Sequence, residues 1–349
     1  MNVDRSLLLS DLERLLVAHG PSGVEEEVDA LLREMLHSCG EIRQDAAGSL
    51  VLHFPGRRSG GAFAVTAHKD EICMIVKRGE AEGRLRVQPV GGLHPWAVGE
   101  TPVEVLAAEP VPGVLSIGSK HVSGESPAGA LKSGAALTWE KMHVETKLDA
   151  ESLERLGVRP GRRVVLARGR KAPMWLGEEF LCGYNLDCRA GLAVLVAAAR
   201  QLQREPPDRD VYLVASAEEE IGGLGAIWSV GQLAAETVIA LDLAPVADEY
   251  QIVNSADPVL PCKDVSGLYS QPLVDHLTGL AGGLGFGVQT AVLTSYASDA
   301  TLAKAAGSAG RAALVAYPGD NTHGYEICHA GAIVNCARLL LALLYDPRG

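Results

Sequence analysis

The sequence predicts an α/β fold in which a mixed, mostly parallel sheet carries helices on both faces and is interrupted by a small inserted β-barrel or β-sandwich. Two observations predict it. Helix-like and strand-like segments alternate before residue 71 and after residue 178, which is typical of parallel sheets. Between them lie short β-rich pieces separated by turn residues. We therefore expect residues 1–70 and 178–349 to form one discontinuous domain, and residues 71–177 to form the insert.

Apolar periodicity places the elements of the α/β part. Helical spacing marks 4–18 and 23–38, and SGVEEE predicts a serine cap for the second helix. Strands are predicted at 49–54, 61–67, 210–217, 237–243, 288–293 and 311–317, and helices at 189–203, 224–235, 271–285, 299–307 and 329–345. Pro318-Gly319 is expected to end the strand before it, leaving His323 on a loop.

Composition excludes several classes of function. The chain has a net charge of −12 and no basic patch that could follow a phosphate backbone, so we expect no nucleic-acid partner. Its apolar stretches are too short to span a bilayer, and its start does not resemble a signal peptide. Seven cysteines without a CxxC pair predict reduced thiols and a cytoplasmic protein.

Acidic and imidazole side chains recur where apolar runs end or helices begin. They are His68, Asp187, Glu219, Glu220, Asp242 and His323. Each has an ordinary explanation by itself: a histidine at a strand end, a helix cap for Asp187, a solvated turn for the glutamates. Because the carboxyl ends of parallel strands meet in one crevice, we expect these residues to converge. Together they predict a divalent metal site.

The same residues suffice for two metal ions and a base. Two ions with a shared aspartate can hold a water between them and polarise a carbonyl group. A further carboxylate must accept the proton of that water, and the Glu219–Glu220 pair provides one. Asp299 and His329 are weaker candidates, the latter because it is expected to begin the last helix. The segment GGLGA lacks the GxGxxG pattern, so a nucleotide loop is not predicted.

Five motifs in order make the chain recognisable: TAHKDE, NLDCRAG, EEIGGLGA, VIALDLA and THGYE. With them the sequence resembles the TET-type aminopeptidases, the glutamyl and deblocking enzymes of the co-catalytic dinuclear metallopeptidase clan. The insert text VGGLHPWAVGE and PVPGVLSIGSKH is similar to the β-rich dimerisation domain of that family. The resemblance covers nearly the whole chain.

The resemblance implies a zinc-aminopeptidase-like fold and a role for each site residue. His68, Asp187 and Asp242 would hold one ion, and Asp187, Glu220 and His323 the other. Glu219 would be the general base that activates a metal-bridging water, and Asp70 would orient His68. The family uses two zinc or cobalt ions, and the donor set also suits manganese. The resemblance also implies that the enzyme removes N-terminal residues from peptides inside tetrahedral dodecamers, which are built from dimers.

Three departures from the family pattern bear on the substrate. Cys188 follows the bridging aspartate, where it either alters metal preference or simply packs; Leu224 replaces a usual arginine; and HGYE replaces HSP-type text. One alternative function is a related amide hydrolase or deacylase acting on a small dipeptide-like substrate. Another is a non-catalytic assembly protein. The preferred N-terminal residue stays open.

Overall fold

The computed structural model describes residues 3–58 and 60–346. The helices are α1 (Arg5–Val17), α2 (Glu26–Leu36), α3 (Pro95–Val98), α4 (Pro127–Lys132), α5 (Ala150–Arg155), α6 (Arg168–Lys171), α7 (Leu186–Arg204), α8 (Leu224–Gln232), α9 (Gln271–Leu284), α10 (Asp299–Ala305) and α11 (Ala330–Leu344). The strands are β1 (Arg43–Gln44), β2 (Leu50–Phe54), β3 (Ala62–His68), β4 (Cys73–Gly79), β5 (Arg84–Val90), β6 (Thr101–Val105), β7 (Val111–Ser116), β8 (His143–Glu145), β9 (Arg163–Leu166), β10 (Met174–Leu176), β11 (Phe180–Gly183), β12 (Val211–Ser216), β13 (Ala235–Pro245), β14 (Val259–Lys263), β15 (Gln289–Val292), β16 (Arg311–Asp320) and β17 (Glu326–His329).

Contacts divide the chain into two units. The sheet unit contains residues 1–71, 172–322 and 326–349, and the barrel unit contains residues 72–171 and 323–325. The α/β class with an added small barrel, predicted from the sequence, is confirmed.

One mixed sheet organises the sheet unit. Its strand order is β1-β2-β12-β3-β13-β16-β17-β11-β10, with β14 and β15 attached beside β16. The four central strands β12, β3, β13 and β16 run parallel, whereas the flanking pairs are antiparallel. All seven residues of β3 are buried, as expected for a strand covered on both faces. The carboxyl ends of the central strands therefore share one edge of the sheet.

The sheet unit departs from the sequence-based expectation at two element ends. Pro318 does not end its strand, because β16 continues to Asp320 by pairing with β13 on one side and β17 on the other. Ser22 is not the cap of α2, whose first flanking residue is Glu25; the Ser22 hydroxyl donates instead to Asp70. In both places tertiary partners outweigh the local turn or cap signal.

A closed six-stranded barrel forms the barrel unit, in the order β4-β5-β8-β7-β6-β9, and all its strand pairs are antiparallel. Its interior is apolar and includes Val87, Val103, Leu115, Met142 and Val144. Full closure removes unpaired strand edges, so this small core is enclosed on all sides.

None of the helices among residues 3–58 and 60–346 is long and apolar enough to cross a membrane.

Candidate metal centre

Adjacent strands of the sheet unit bring the predicted ligands together. His68 is the last residue of β3, and it lies in register with Ser216 at the end of β12. Three residues further on, a short 3₁₀ turn begins and carries Glu219 and Glu220. Asp242 lies in β13, the other neighbour of β3. The parallel register therefore places three of the sequence motifs at one edge of the sheet.

The imidazole of His68 is the centre of the cluster. Its side chain is 2% exposed, and its Nε2 lies 2.8 Å from Asp187 Oδ1, 3.8 Å from Asp242 Oδ1 and 4.0 Å from Glu219 Oε2. His68, Asp187, Cys188 and Asp242 each offer a ligand atom within 4.8 Å of the others, and so do His68, Glu219 and Glu220. Three carboxylates thus converge on one nitrogen.

Asp70 fixes both the imidazole and the acidic turn. The Nδ1 of His68 lies 3.2 Å from the Asp70 carbonyl oxygen and 3.4 Å from its carboxylate. Because these oxygens only accept, Nδ1 carries a proton and Nε2 faces the carboxylates. The Asp70 carboxylate also accepts the backbone N–H groups of Glu219 and Glu220, at 2.9 and 3.2 Å, and the Ser22 hydroxyl at 2.7 Å.

Asp187 lies in the first turn of α7 and is held there by its backbone. Its N–H donates to Glu326 Oε2 at 3.1 Å, and Glu326 is 1% exposed. Asp187 is not the helix cap, because Asn185 occupies that position and the backbone of Asp187 is not helical. The adjacent Cys188 thiol donates to the Leu241 carbonyl at 3.0 Å, and burial raises its pKa well above the ordinary value. Cys188 is therefore a packed, protonated thiol.

Asp242 is anchored from two sides. Its Oδ1 accepts the Leu243 N–H at 2.7 Å, and its Oδ2 accepts the hydroxyl of Tyr296 at 2.7 Å. Tyr296 lies on the loop before α10 and was not predicted as a site residue. These bonds fix the orientation of the carboxylate with respect to His68.

Burial and crowding shift the pKa values of the cluster. Burial raises the pKa of Asp242 to about 8, and the neighbouring Asp187 adds to this effect. Burial likewise raises the pKa values of Glu219 and Glu220 well above the ordinary range. Burial alone would lower the pKa of His68, but its hydrogen bonds with Asp187 and Asp70 raise it well above its usual value. Burial, together with the neighbouring carboxylates, therefore favours the protonated form of these three acids.

The other candidates lie in different surroundings. Asp299 is 3% exposed and accepts the Ser216 hydroxyl at the start of α10. His329 caps α11, as predicted, by accepting the Gly331 N–H. Leu224 is 48% exposed. His323 is grouped with the barrel unit, and its Nδ1 lies 3.1 Å from the carbonyl oxygen of Gly92 in that unit.

The donor set fits a divalent cation. Imidazole nitrogen and carboxylate oxygen are ligands that zinc, cobalt and manganese share. His68 is oriented by the hydrogen bond that its Nδ1 donates to Asp70, and Asp242 by those that it accepts from Tyr296 and Leu243. Metal ligands commonly have such outer partners. A cation at this place would compensate the buried carboxylate charges and lower these pKa values.

Comparison with models of known protein families assigns this chain to a family. Residues 48–339 match the model of the M42 glutamyl aminopeptidase family. The chain belongs to this family. The resemblance inferred from the motifs is thereby confirmed, and so is the enzyme class, because these are metal-dependent peptide hydrolases.

Individual relatives agree with this assignment. The lysyl aminopeptidase of Pyrococcus furiosus is 29% identical over 246 residues, which cover 66% of this chain and 65% of that protein. Among solved structures, the aminopeptidase APDkam598 of Desulfurococcus kamchatkensis superposes with a TM-score of 0.88 at 23% identity, covering 98% of this chain and 95% of that one. The TET1 peptidase of Pyrococcus horikoshii superposes with a TM-score of 0.87 at 20% identity, covering 97% and 99%.

Proposed function

We propose that this protein is a metal-dependent aminopeptidase that removes the N-terminal residue of peptides by hydrolysis. The observation that carries the proposal is the convergence of Asp187, Asp242 and Glu219 on the buried Nε2 of His68, in a chain of an aminopeptidase family. A buried imidazole surrounded by carboxylates is suited to a cation rather than to a hydrophobic core.

Two groups of ligands follow from the family motifs. His68, Asp187 and Asp242 would hold one ion, and Asp187, Glu220 and His323 the second. The Nδ1 of His323 faces the carbonyl of Gly92, so Nδ1 carries the proton and Nε2 keeps the lone pair that a ligand needs. When bound, zinc, cobalt or manganese ions would supply a polarised substrate carbonyl and a water of lowered pKa.

Glu219 is proposed as the general base. Its carboxylate lies in the cluster, with Oε2 4.0 Å from the Nε2 of His68. Burial raises its pKa, which suits a group that takes a proton from water and returns it to the leaving amine. Asp70 holds the backbone of the Glu219 turn, so the base has a fixed position.

The barrel unit is proposed to serve assembly. The solved TET1 peptidase of Pyrococcus horikoshii is described as assembling into a tetrahedron or a large octahedral shell, and a related TET1 structure as a dodecamer. We propose that this chain likewise forms dimers through its barrel and twelve-subunit particles from these dimers. Its mass in solution, measured by light scattering, tests this directly.

A substrate panel tests the proposed activity. Purified protein is treated with a chelator, reloaded with zinc, cobalt or manganese, and given aminoacyl-anilides with a free amino group beside matched N-acyl derivatives. We expect metal-dependent release of the aniline from the free-amine series alone. Cleavage confined to the N-acyl series would support the deacylase alternative, which the HGYE text motivates. No hydrolysis of either series by metal-loaded protein would contradict both.

A further inference from the structure

The turn that carries the proposed base is held through three consecutive backbone amides. The N–H groups of Glu219 and Glu220 donate to Asp70, and the N–H of Glu218 donates to Glu25 Oε1 at 3.2 Å. Glu218 adopts a left-handed backbone with φ 54°, which a non-glycine residue holds only when its surroundings impose it. The bond to Glu25 is one such constraint.

Glu25 is itself fixed in place. It is 6% exposed and immediately precedes α2. Its Oε1 also accepts the Gly23 N–H at 3.2 Å, and its Oε2 lies 3.2 Å from the Nζ of Lys69. A carboxylate with partners on both oxygens keeps one rotamer, so it can serve as a rigid acceptor for the Glu218 amide.

Lys69 completes the support. It is 1% exposed and stands in sequence between His68 and Asp70. Its ammonium donates to the Gly48 carbonyl at 2.8 Å and to the carboxylate of Asp29. The same strand end therefore provides groups of the metal centre and, through Lys69, an anchor for Glu25.

We propose that Glu25 is a positioning residue for the general base: its carboxylate oxygen, held by Lys69, fixes the Glu218 amide and thereby the direction of the Glu219 side chain. This inference rests on the proposed function, in which Glu219 is the base. Glu25 touches neither substrate nor metal in this role. It acts through the backbone of the turn.

Two substitutions of Glu25 separate the effect of its side-chain length from the effect of its charge. Glu25→Asp keeps the charge for Lys69 but shortens the side chain by one methylene, so the bond to the Glu218 amide is lost. Glu25→Gln keeps the reach and the acceptor oxygen but removes the charge. Glu25, Glu26 and Lys69 line one cavity of about 260 Å³. Glu26 provides the control, because it lies in this cavity but is exposed. Glu26→Asp and Glu26→Gln are made alongside.

Steady-state kinetics and hydrogen exchange are measured on metal-loaded protein. We expect Glu25→Asp to lower kcat about tenfold, the effect of one lost hydrogen bond, with KM and metal content unchanged. Glu25→Gln and both Glu26 variants should stay within about threefold of wild type. Exchange of the amides in residues 217–222 should be faster in Glu25→Asp than in Glu25→Gln.

The opposite ranking would overturn the proposal. If Glu25→Gln loses kcat and Glu25→Asp does not, the charge opposite Lys69 matters and the bond to Glu218 does not. A rise in KM or a loss of metal in Glu25→Asp would likewise assign Glu25 another role. If wild-type protein hydrolyses no substrate, the proposed function fails, whereas the exchange rates of residues 217–222 still decide whether Glu25 holds the turn.

Discussion

Acidic side chains have opposite surroundings in the two units. In the sheet unit, Asp242 is 4% exposed, and burial raises its pKa to about 8. In the barrel unit, Glu145 lies within 2.9 Å of Arg84, His143 and Lys147. Burial would raise the pKa of Glu145, but bonds from Lys147, Arg84 and His143 lower it to about 2.

The carboxylate of the barrel unit and the carboxylates around His68 therefore have different roles. The barrel carboxylate is neutralised by side chains of the protein, so it needs nothing further. The carboxylates around His68 share one imidazole and carry raised pKa values, so folding leaves them short of positive charge. A site built to receive divalent cations has this imbalance between carboxylates and positive charge.

Replacement of the proposed base should have the largest effect. Glu219→Gln removes the proton acceptor while keeping the size of the side chain, and we expect kcat to fall about 10²–10⁴-fold with metal content unchanged. Glu218→Gln is the control, because this neighbouring carboxylate lines the cavity beside Glu25 instead. Activity of Glu219→Gln close to that of wild type would remove Glu219 from the mechanism.

Metal removal should make stability depend on pH. In the metal-free protein, the pKa of Asp242 lies at about 8, above its ordinary value of 3.8, so the folded state keeps a proton that the unfolded state releases. Stability is therefore lost as pH rises through this window, and the raised pKa values of Glu219, Glu220 and His68 act in the same direction. We expect Tm to fall by about 5 °C or more between about pH 5 and pH 8.

The metal-loaded protein provides the comparison for this experiment. Bound cations stabilise the ionised carboxylates, so its Tm should change much less over the same range, as scanning calorimetry can show. Asp242→Asn should reduce the decrease in the metal-free protein. A metal-free Tm that rises with pH would contradict the charge imbalance.

Loss of the Tyr296 hydroxyl should weaken metal binding moderately. Tyr296→Phe removes the donor that orients Asp242 Oδ2 at 2.7 Å, and we expect affinity for zinc to fall about tenfold in competition with a chromophoric chelator. Tyr345→Phe is the matched control, because its hydroxyl bonds to the Gln201 carbonyl away from the cluster. Equal affinities for both variants would show that Asp242 needs no such support.

The barrel carboxylate should give the smallest effect. Glu145→Gln breaks partly exposed ion pairs, so we expect Tm to fall by about 2 °C or less near neutral pH, with kcat unchanged. Because the pKa of Glu145 is lowered, its contribution is present above about pH 4.5 and lost as pH falls toward 2. A large loss of activity in this variant would undermine the contrast between the two sets of acids.

Sequence alone predicted His68 at the end of β3 and Asp242 near the carboxyl end of β13, although β13 continues past Asp242 to Pro245. His68 and Asp242 follow long apolar runs, and parallel topology then brings their side chains together. Apart from Asp70, which the family resemblance assigns to His68, the partners that orient them were not predicted. Tyr296 and Ser22 lie on separate segments, and nothing in their local patterns indicates that they contact the site. Glu326 belongs to the HGYE text, but its hydrogen bond with the Asp187 amide was not predicted.

The helices and strands were likewise predicted only in part. Long periodic helices and central strands were predicted close to their observed positions, because burial dictates their pattern. β14 and β17, of five and four residues, were not predicted, and β16 continues through Pro318 although the local signal indicated a stop. These elements depend on pairing with strands distant in sequence, which periodicity does not record.

The most direct test is a crystal structure of zinc-loaded protein with anomalous scattering measured at the zinc edge. The account predicts two peaks per chain, about 3.5–4 Å apart, with Asp187 between them and His68 bound to one of them. A single peak, or ions that do not touch Asp187, would contradict it.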